Sequence, residues 1–121
     1  MKSILIVEDD ALMLKIILKI LSKENYEIDT AVNGKEAFEK LEARNYNYDL
    51  VITDIMMPYS NGFEIISKLK QHGTGRVPVI MVSNVNHENI VMEVFKAGAD
   101  DYIKKPVMAG ELLIRVKKLI N

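Results

Sequence analysis

The sequence predicts an α/β protein, a five-stranded parallel sheet covered by helices on both faces. Short β-branched runs alternate with longer amphipathic segments along the whole of its 121 residues. The strongest of the short runs are continuously apolar, as strands buried on both faces must be. The length suits one domain, and with 49 % hydrophobic residues the chain can fill one sizeable core.

The elements follow in order. Ile4-Leu5-Ile6-Val7 is the first strand, and Ala11 to Lys23, rich in Leu, Ile, Met and Lys, the first helix. Tyr26 to Ala31 alternates more and suits a sheet edge. Asn33, a residue type that caps helix starts, opens a helix with Gly34 that reaches about Arg44. Leu50-Val51-Ile52-Thr53 is the third strand, followed by a turn-rich loop from Pro58 to Gly62. A helix from Phe63 to His72 ends before Gly73 and Gly75, and Val77 to Val82 forms the fourth strand. Asn86 to Ala97 is a helix stopped by Gly98. Tyr102-Ile103 is a short fifth strand, and Ala109 to Ile120 the last helix. Alternating strands and helices imply right-handed crossovers and a parallel sheet.

Composition excludes several classes. Sixteen Lys and Arg stand against 17 Asp and Glu, so no basic excess points to nucleic acid or an anionic membrane. Without cysteine there is no disulfide framework and no thiolate metal site, which fits a reducing cytoplasm. The apolar run after Met1-Lys2-Ser3 stops at Glu8, too short for a signal peptide or a membrane span.

Open parallel sheets bind ligands beyond the carboxyl ends of their strands. Glu8, Asp9 and Asp10 follow strand one, Asp54 follows strand three, Ser83 strand four, and Lys104, Lys105 and Pro106 strand five. Each is unremarkable alone: a single acid there is ordinarily a helix cap, as Asp10 is expected to be. Together they converge on one patch. Crowded carboxylates repel and attract a proton or a cation, and an all-oxygen donor set suits a hard ion, Mg²⁺ above all. A carboxylate beside such an ion, an ammonium and a hydroxyl forms a site for in-line transfer of a phosphoryl group, with aspartate as covalent acceptor.

The matching residues are Val7-Glu8-Asp9-Asp10, Asp54 followed by Ile55-Met56-Met57-Pro58 and Gly62, Val82-Ser83, and Tyr102-Ile103-Lys104-Lys105-Pro106. In these the chain resembles the receiver domain of bacterial two-component response regulators, from strand one to the last helix. The resemblance implies a single receiver domain over residues 1–121, with the flavodoxin-like strand order 2-1-3-4-5. It implies a signalling switch rather than an enzyme, one that assists its own phosphorylation and dephosphorylation. Asp54 would be the phosphoacceptor, served by a histidine kinase or a histidine phosphotransfer protein. Asp9 would bind Mg²⁺ (or Mn²⁺) directly and Glu8 through water, with Asp54 and the Met56 backbone carbonyl completing the protein ligands. Ser83 would be the switch hydroxyl, Lys105 the phosphate-pairing lysine before a cis proline, Lys104 its outward neighbour, and Tyr102 the aromatic that turns inward. Asn84 departs from the small residue usual after the hydroxyl, and with Met56 and Val85 it bears on the lifetime of the phosphorylated state.

On the first helix Met13, Ile16, Ile17, Ile20 and Leu21 form the core-facing arc at about 100° per residue. Leu14 and Leu18 lie well round from it. They are either ordinary surface leucines or a docking ridge for the kinase or phosphotransfer helix. Met92, Tyr102 and Lys104 would belong to an output face of helix four, strand five and helix five, meeting an output domain or target protein. No direct contact with nucleic acid or membrane is expected. Since the sequence stops at Asn121, output would act either through a separate protein or through a longer form of the chain. His72 and His87 read as exposed helix-end histidines.

Rival readings fare worse. An aspartate-nucleophile phosphatase would place its nucleophile after strand one with a second acid two residues on, where Glu8-Asp9-Asp10-Ala11 also lacks a following Thr or Ser. A flavin carrier would need a hydroxyl- or glycine-rich phosphate loop where three carboxylates stand. A degenerate receiver that only binds a partner would not need the full set of acids, hydroxyl and lysine.

Overall fold

The computed structural model describes residues 1–72, 77–84 and 88–121. Five parallel strands form one sheet in the order β2-β1-β3-β4-β5. These are β1 Lys2–Val7, β2 Tyr26–Ala31, β3 Leu50–Asp54, β4 Val79–Ser83 and β5 Asp101–Lys104. The helices are α1 Ala11–Leu21, α2 Gly34–Ala43, α3 Gly62–His72, α4 Glu88–Ala97 and α5 Ala109–Ile120.

Successive strand residues point to opposite faces, so a continuously apolar strand feeds two cores at once. Leu5, Val7, Val51, Val79 and Met81 pack with Ala37, Leu41, Ile65, Leu69 and Val94 of α2, α3 and α4. Ile4, Ile6, Leu50, Ile52, Ile80, Val82 and Ile103 pack with Ile17, Leu21, Leu112, Val116 and Ile120 of α1 and α5. This division leaves the strand ends between the two helical layers.

Capping fixes where helices begin. The Asp10 carboxylate accepts from the amides of Leu12 and Met13 at 3.0 and 3.4 Å. The Asn33 side chain accepts from the Glu36 amide at 2.8 Å, while the Glu36 carboxylate accepts from the Val32 amide at 3.0 Å. Both caps fill donors that the first helical turn leaves open. At the other end of α4, Gly98 stands at φ +114°, where a side chain would be strained.

Several expectations need correction. The stretch after Asp54 is not only a loop: Met56–Met57 pairs antiparallel with Ser60–Asn61 in a small hairpin. β1 starts earlier than expected because Lys2 and Ser3 pair with Tyr26 and Glu27 at the edge. α1 ends at Leu21, where the Ser22 amide donates to the Leu18 carbonyl. β4 begins at Val79, not Val77. Leu14 and Leu18 are half-buried and pack against the second core, because α5 lies alongside α1 as well as the sheet. The apolar side chain that α1 does expose is Leu12, at 68 %. His72 is exposed as expected, yet its ring stacks on Tyr46 with centroids 4.7 Å apart. Gly73, Gly75, Val85, Asn86 and His87 lie outside the described residues.

The hairpin turn contains a strained residue. Pro58 and Tyr59 are its two central positions, and Tyr59 stands at φ +65° with its side chain 100 % exposed. A left-handed conformation costs a non-glycine residue about 1–2 kcal/mol, and the position after proline in such a turn favours glycine. The exposed ring has no packing to lose. Tyr59→Gly is expected to stabilise the protein by about 0.5–1 kcal/mol after the greater freedom of glycine in the unfolded chain is subtracted. Urea unfolding measures this directly.

Candidate functional site

The carboxyl ends of β1, β3, β4 and β5 bring the residues expected to form the site together. β1 ends at Val7 and delivers Glu8, whose amide donates to the Ala31 carbonyl at 2.9 Å. β3 ends on Asp54 itself. Parallel pairing sets Val7 opposite Thr53 and Asp54 opposite Val82, so the two acidic positions are strand neighbours. Ser83 closes β4, is buried, and stands opposite Lys104 in the register. Its carbonyl accepts from the Lys105 amide at 2.8 Å, which aims the lysine back over the sheet end. The Lys105-Pro106 peptide bond is cis, as expected.

Lys105 joins the two buried acids. Its ammonium lies 3.0 Å from Asp54 Oδ2 and 3.0 and 3.1 Å from the two Glu8 oxygens. Glu8 is 1 % exposed and Asp54 7 %. Burial pushes the Glu8 carboxyl up to about 7, against the lowering pull of hydrogen bonds from Lys105 and the Asp10 amide. Burial also penalises the Lys105 ammonium, but hydrogen bonds to Asp54 and Glu8 outweigh that and hold it above the ordinary lysine range. The lysine is therefore charged, and it counters one of the two buried carboxylates.

Asp9 stands beside this pair and is exposed. Glu8, Asp9 and Asp54 each offer an oxygen within 4.8 Å of the others. The set is all oxygen, two acids deep and one at the mouth, which fits a hard divalent cation and no thiophilic or imidazole-seeking metal. Met56, on the first hairpin strand, has a 67 % exposed side chain. Its hairpin is tied to the end of β3, since the Gly62 amide donates to the Ile55 carbonyl at 2.8 Å. Gly62 itself must be small, because a β-carbon there would come within 2.7 Å of both the Asp54 carbonyl and the Met81 sulfur.

Tyr102 is half-buried and packs against the α2–α3–α4 core, while Lys104 is exposed. Asn84 is exposed directly after Ser83. Met92 is half-exposed on α4. Sequence reading missed Leu12 and Met108, both largely exposed, which come four or five residues after the ends of β1 and β5. The only signal available was an apolar residue just after each strand-end motif. A cavity of about 660 Å³ opens at the opposite, amino end of the sheet, lined by Lys2, Asp49, Pro78 and Asp100 among others. It shares no residue with the acidic cluster.

Comparison with known proteins gives a consistent picture. The family model for the response regulator receiver domain matches residues 4–117. The transcriptional regulatory protein ResD of Bacillus subtilis (strain 168) is 41 % identical over 119 residues, 98 % of this chain and 48 % of that protein. The transcriptional regulatory protein SrrA of Staphylococcus aureus is 38 % identical over 118 residues, 98 % of this chain and 47 % of that protein. The chain thus spans about half the length of these curated relatives. Among solved structures, a response regulator receiver domain protein (CheY-like) from Methanospirillum hungatei JF-1 superposes with a TM-score of 0.86 at 35 % identity, covering 98 % of this chain and 92 % of that one. A receiver domain protein from Clostridium thermocellum gives 0.90 at 29 % identity, covering 100 % and 95 %.

Proposed function

The chain belongs to the response regulator receiver domain family, and on that premise we propose that it is a cytoplasmic phosphorylation switch with Asp54 as its phosphoacceptor. The domain takes in residues 1–121, and the phosphoryl donor is the phosphohistidine of a histidine kinase or histidine phosphotransfer protein. The observation that carries this reading is the recessed Asp54 carboxylate, held 3.0 Å from the Lys105 ammonium and beside Glu8 and Asp9.

The chemistry follows from that placement. An Asp54 carboxylate oxygen attacks phosphorus in line, an O–P bond forms, the N–P bond to the donor imidazole breaks, and the imidazole leaves with the bonding pair and takes a proton. Lys105 stays within reach of the transferred group and meets part of its charge. Ser83, buried at the end of β4, moves its hydroxyl toward the same group, and Tyr102 on the neighbouring strand turns inward as it does. Asp9 and Asp54, the Met56 carbonyl, and Glu8 through water would hold Mg²⁺ (or Mn²⁺). When bound, the ion neutralises the charge spread over the transferring oxygens. The domain is a signalling module that assists its own phosphorylation and dephosphorylation.

The donor protein meets the domain along α1, with Leu12 at its exposed start; Leu14 and Leu18 support that ridge from a half-buried position. The changed state is read by an output domain or target protein on the face of α4, β5 and α5, where Met92, Tyr102 and Lys104 lie. Nucleic acid and membrane are not direct partners. Among the described residues no helix is long and apolar enough to cross a membrane.

Asp9 allows a clean test, because it is exposed and its removal leaves the buried Lys105 pairs intact. A ligand that binds only the folded state adds about 2.7 kcal/mol at a hundred times its dissociation constant. Mg²⁺ is expected to raise the Tm of the native protein in a concentration-dependent way. Asp9→Asn should keep the metal-free Tm and lose most of that rise. An equal Mg²⁺ response in the two proteins would remove Asp9 from the site.

A further inference from the structure

The hairpin after β3 carries Met56, and its placement depends on a contact that is remote in sequence. Met56 pairs with Asn61 and Met57 with Ser60. On the α3 side the return strand is fixed by Asn61, whose side chain accepts from the Glu64 amide at 3.0 Å. On the α2 side Ser60 lies directly against Gly34, the first residue of α2. A β-carbon built on Gly34 would fall on the Ser60 Cβ and Oγ.

We propose that Gly34 is a positioning residue for the phosphoacceptor loop: its missing side chain lets Ser60 seat the hairpin against the start of α2 and so sets where the Met56 carbonyl stands. The inference rests on the reading of Asp54 and Met56 given above.

Three observations support it. The overlapping atom nearest to a Gly34 side chain is the Ser60 Cβ, which no side-chain rotation can move. Relief therefore calls for a backbone shift at this contact, and where the return strand gives way the paired strand that carries Met56 shifts with it. Gly34 is buried, so a methyl group has no outward path. The Ser60 hydroxyl is itself buried with no hydrogen-bond partner among the described residues. A polar group left so is unfavourable, and the close fit against Gly34 holds it there. Helix propensity points the other way, since alanine is the better helix former. An unconstrained Gly34→Ala would leave the loop undisturbed and the helix strengthened.

The test compares native protein, Gly34→Ala, Ser60→Gly and the double variant. Two readouts are taken: the Mg²⁺ dissociation constant by calorimetry, and the backbone amide shifts of Met56 and Asn61 by NMR. Gly34→Ala is expected to weaken Mg²⁺ about tenfold, roughly 1.4 kcal/mol, and to move both amides. The double variant, which removes the colliding Ser60 Cβ, should return both readouts close to native. If Gly34→Ala does not fold, Ser60→Val presses on the same contact from the other side and replaces it. Native Mg²⁺ affinity and unmoved amides in Gly34→Ala would overturn the proposal, as would failure of Ser60→Gly to restore them. If the native protein itself does not bind Mg²⁺, the reading of the metal ligands fails, while the amide shifts still decide whether Gly34 places the loop.

Discussion

Lys105→Met is expected to destabilise the metal-free protein by about 2–4 kcal/mol and to abolish useful phosphorylation of Asp54. Methionine keeps the length of the stem, so the change is one of charge. Removing one partner of a buried ion pair typically costs about 3–5 kcal/mol, because the other charge is left uncompensated. Here Glu8 and Asp54 would face each other, both nearly buried, without the ammonium now within 3.0 Å of each. Part of the loss is relieved because Glu8 can take a proton. Its folded pKa of about 7 lies above the ordinary glutamate value, so the folded state binds more protons than the unfolded chain over that window. Stability from this group is present at low pH and is lost as pH rises through the window toward 7. Without Lys105 to pull it down, the Glu8 carboxyl rises further and the loss extends to higher pH. Urea unfolding in EDTA at pH 5.5 and pH 8 should therefore show the variant closer to native at the acid end. A variant equally stable at both pH values relative to native would show that Lys105 does not restrain these acids.

Asp54→Asn is expected to remove phosphoryl incorporation completely while leaving the fold intact. The side chain keeps its shape and loses the nucleophilic carboxylate oxygen. It also loses one of the two carboxylates held by Lys105, but the pair with Glu8 remains at 3.0 Å, so no buried charge is stranded. Transfer from a phosphorylated donor kinase, followed by the disappearance of label from the donor, measures this. Label moving to Asp54→Asn at the native rate would place the acceptor elsewhere.

Much of this site was legible because parallel strands buried on both faces leave unbroken apolar runs, and the chemistry follows each run. Glu8, Asp54, Ser83 and Lys105 could be assigned to one end of one sheet from that pattern alone. The pattern does not say which groups touch. That Lys105 bridges Glu8 and Asp54 depends on the turn after β5 and the Ser83 carbonyl, which no periodicity reveals. The hairpin was hidden because strands of two residues have no period, and Pro58 with Ser60-Asn61-Gly62 reads as loop. Leu14 and Leu18 were misplaced because a helical arc drawn against one sheet is too narrow for a helix that also packs on α5. Lys2 and Ser3 join β1 through edge pairing, which polar residues do not advertise. The contact of Gly34 with Ser60 joins residues far apart in sequence and leaves no local trace.

Weighing the intact native protein after incubation with Mg²⁺ and a small phosphodonor, then locating any adduct by peptide mapping, decides whether Asp54 is the phosphoacceptor. A gain of one phosphoryl group is expected, dependent on Mg²⁺ and mapped to Asp54. No gain, with Mg²⁺ shown to be bound, or a gain mapped to another residue would contradict it.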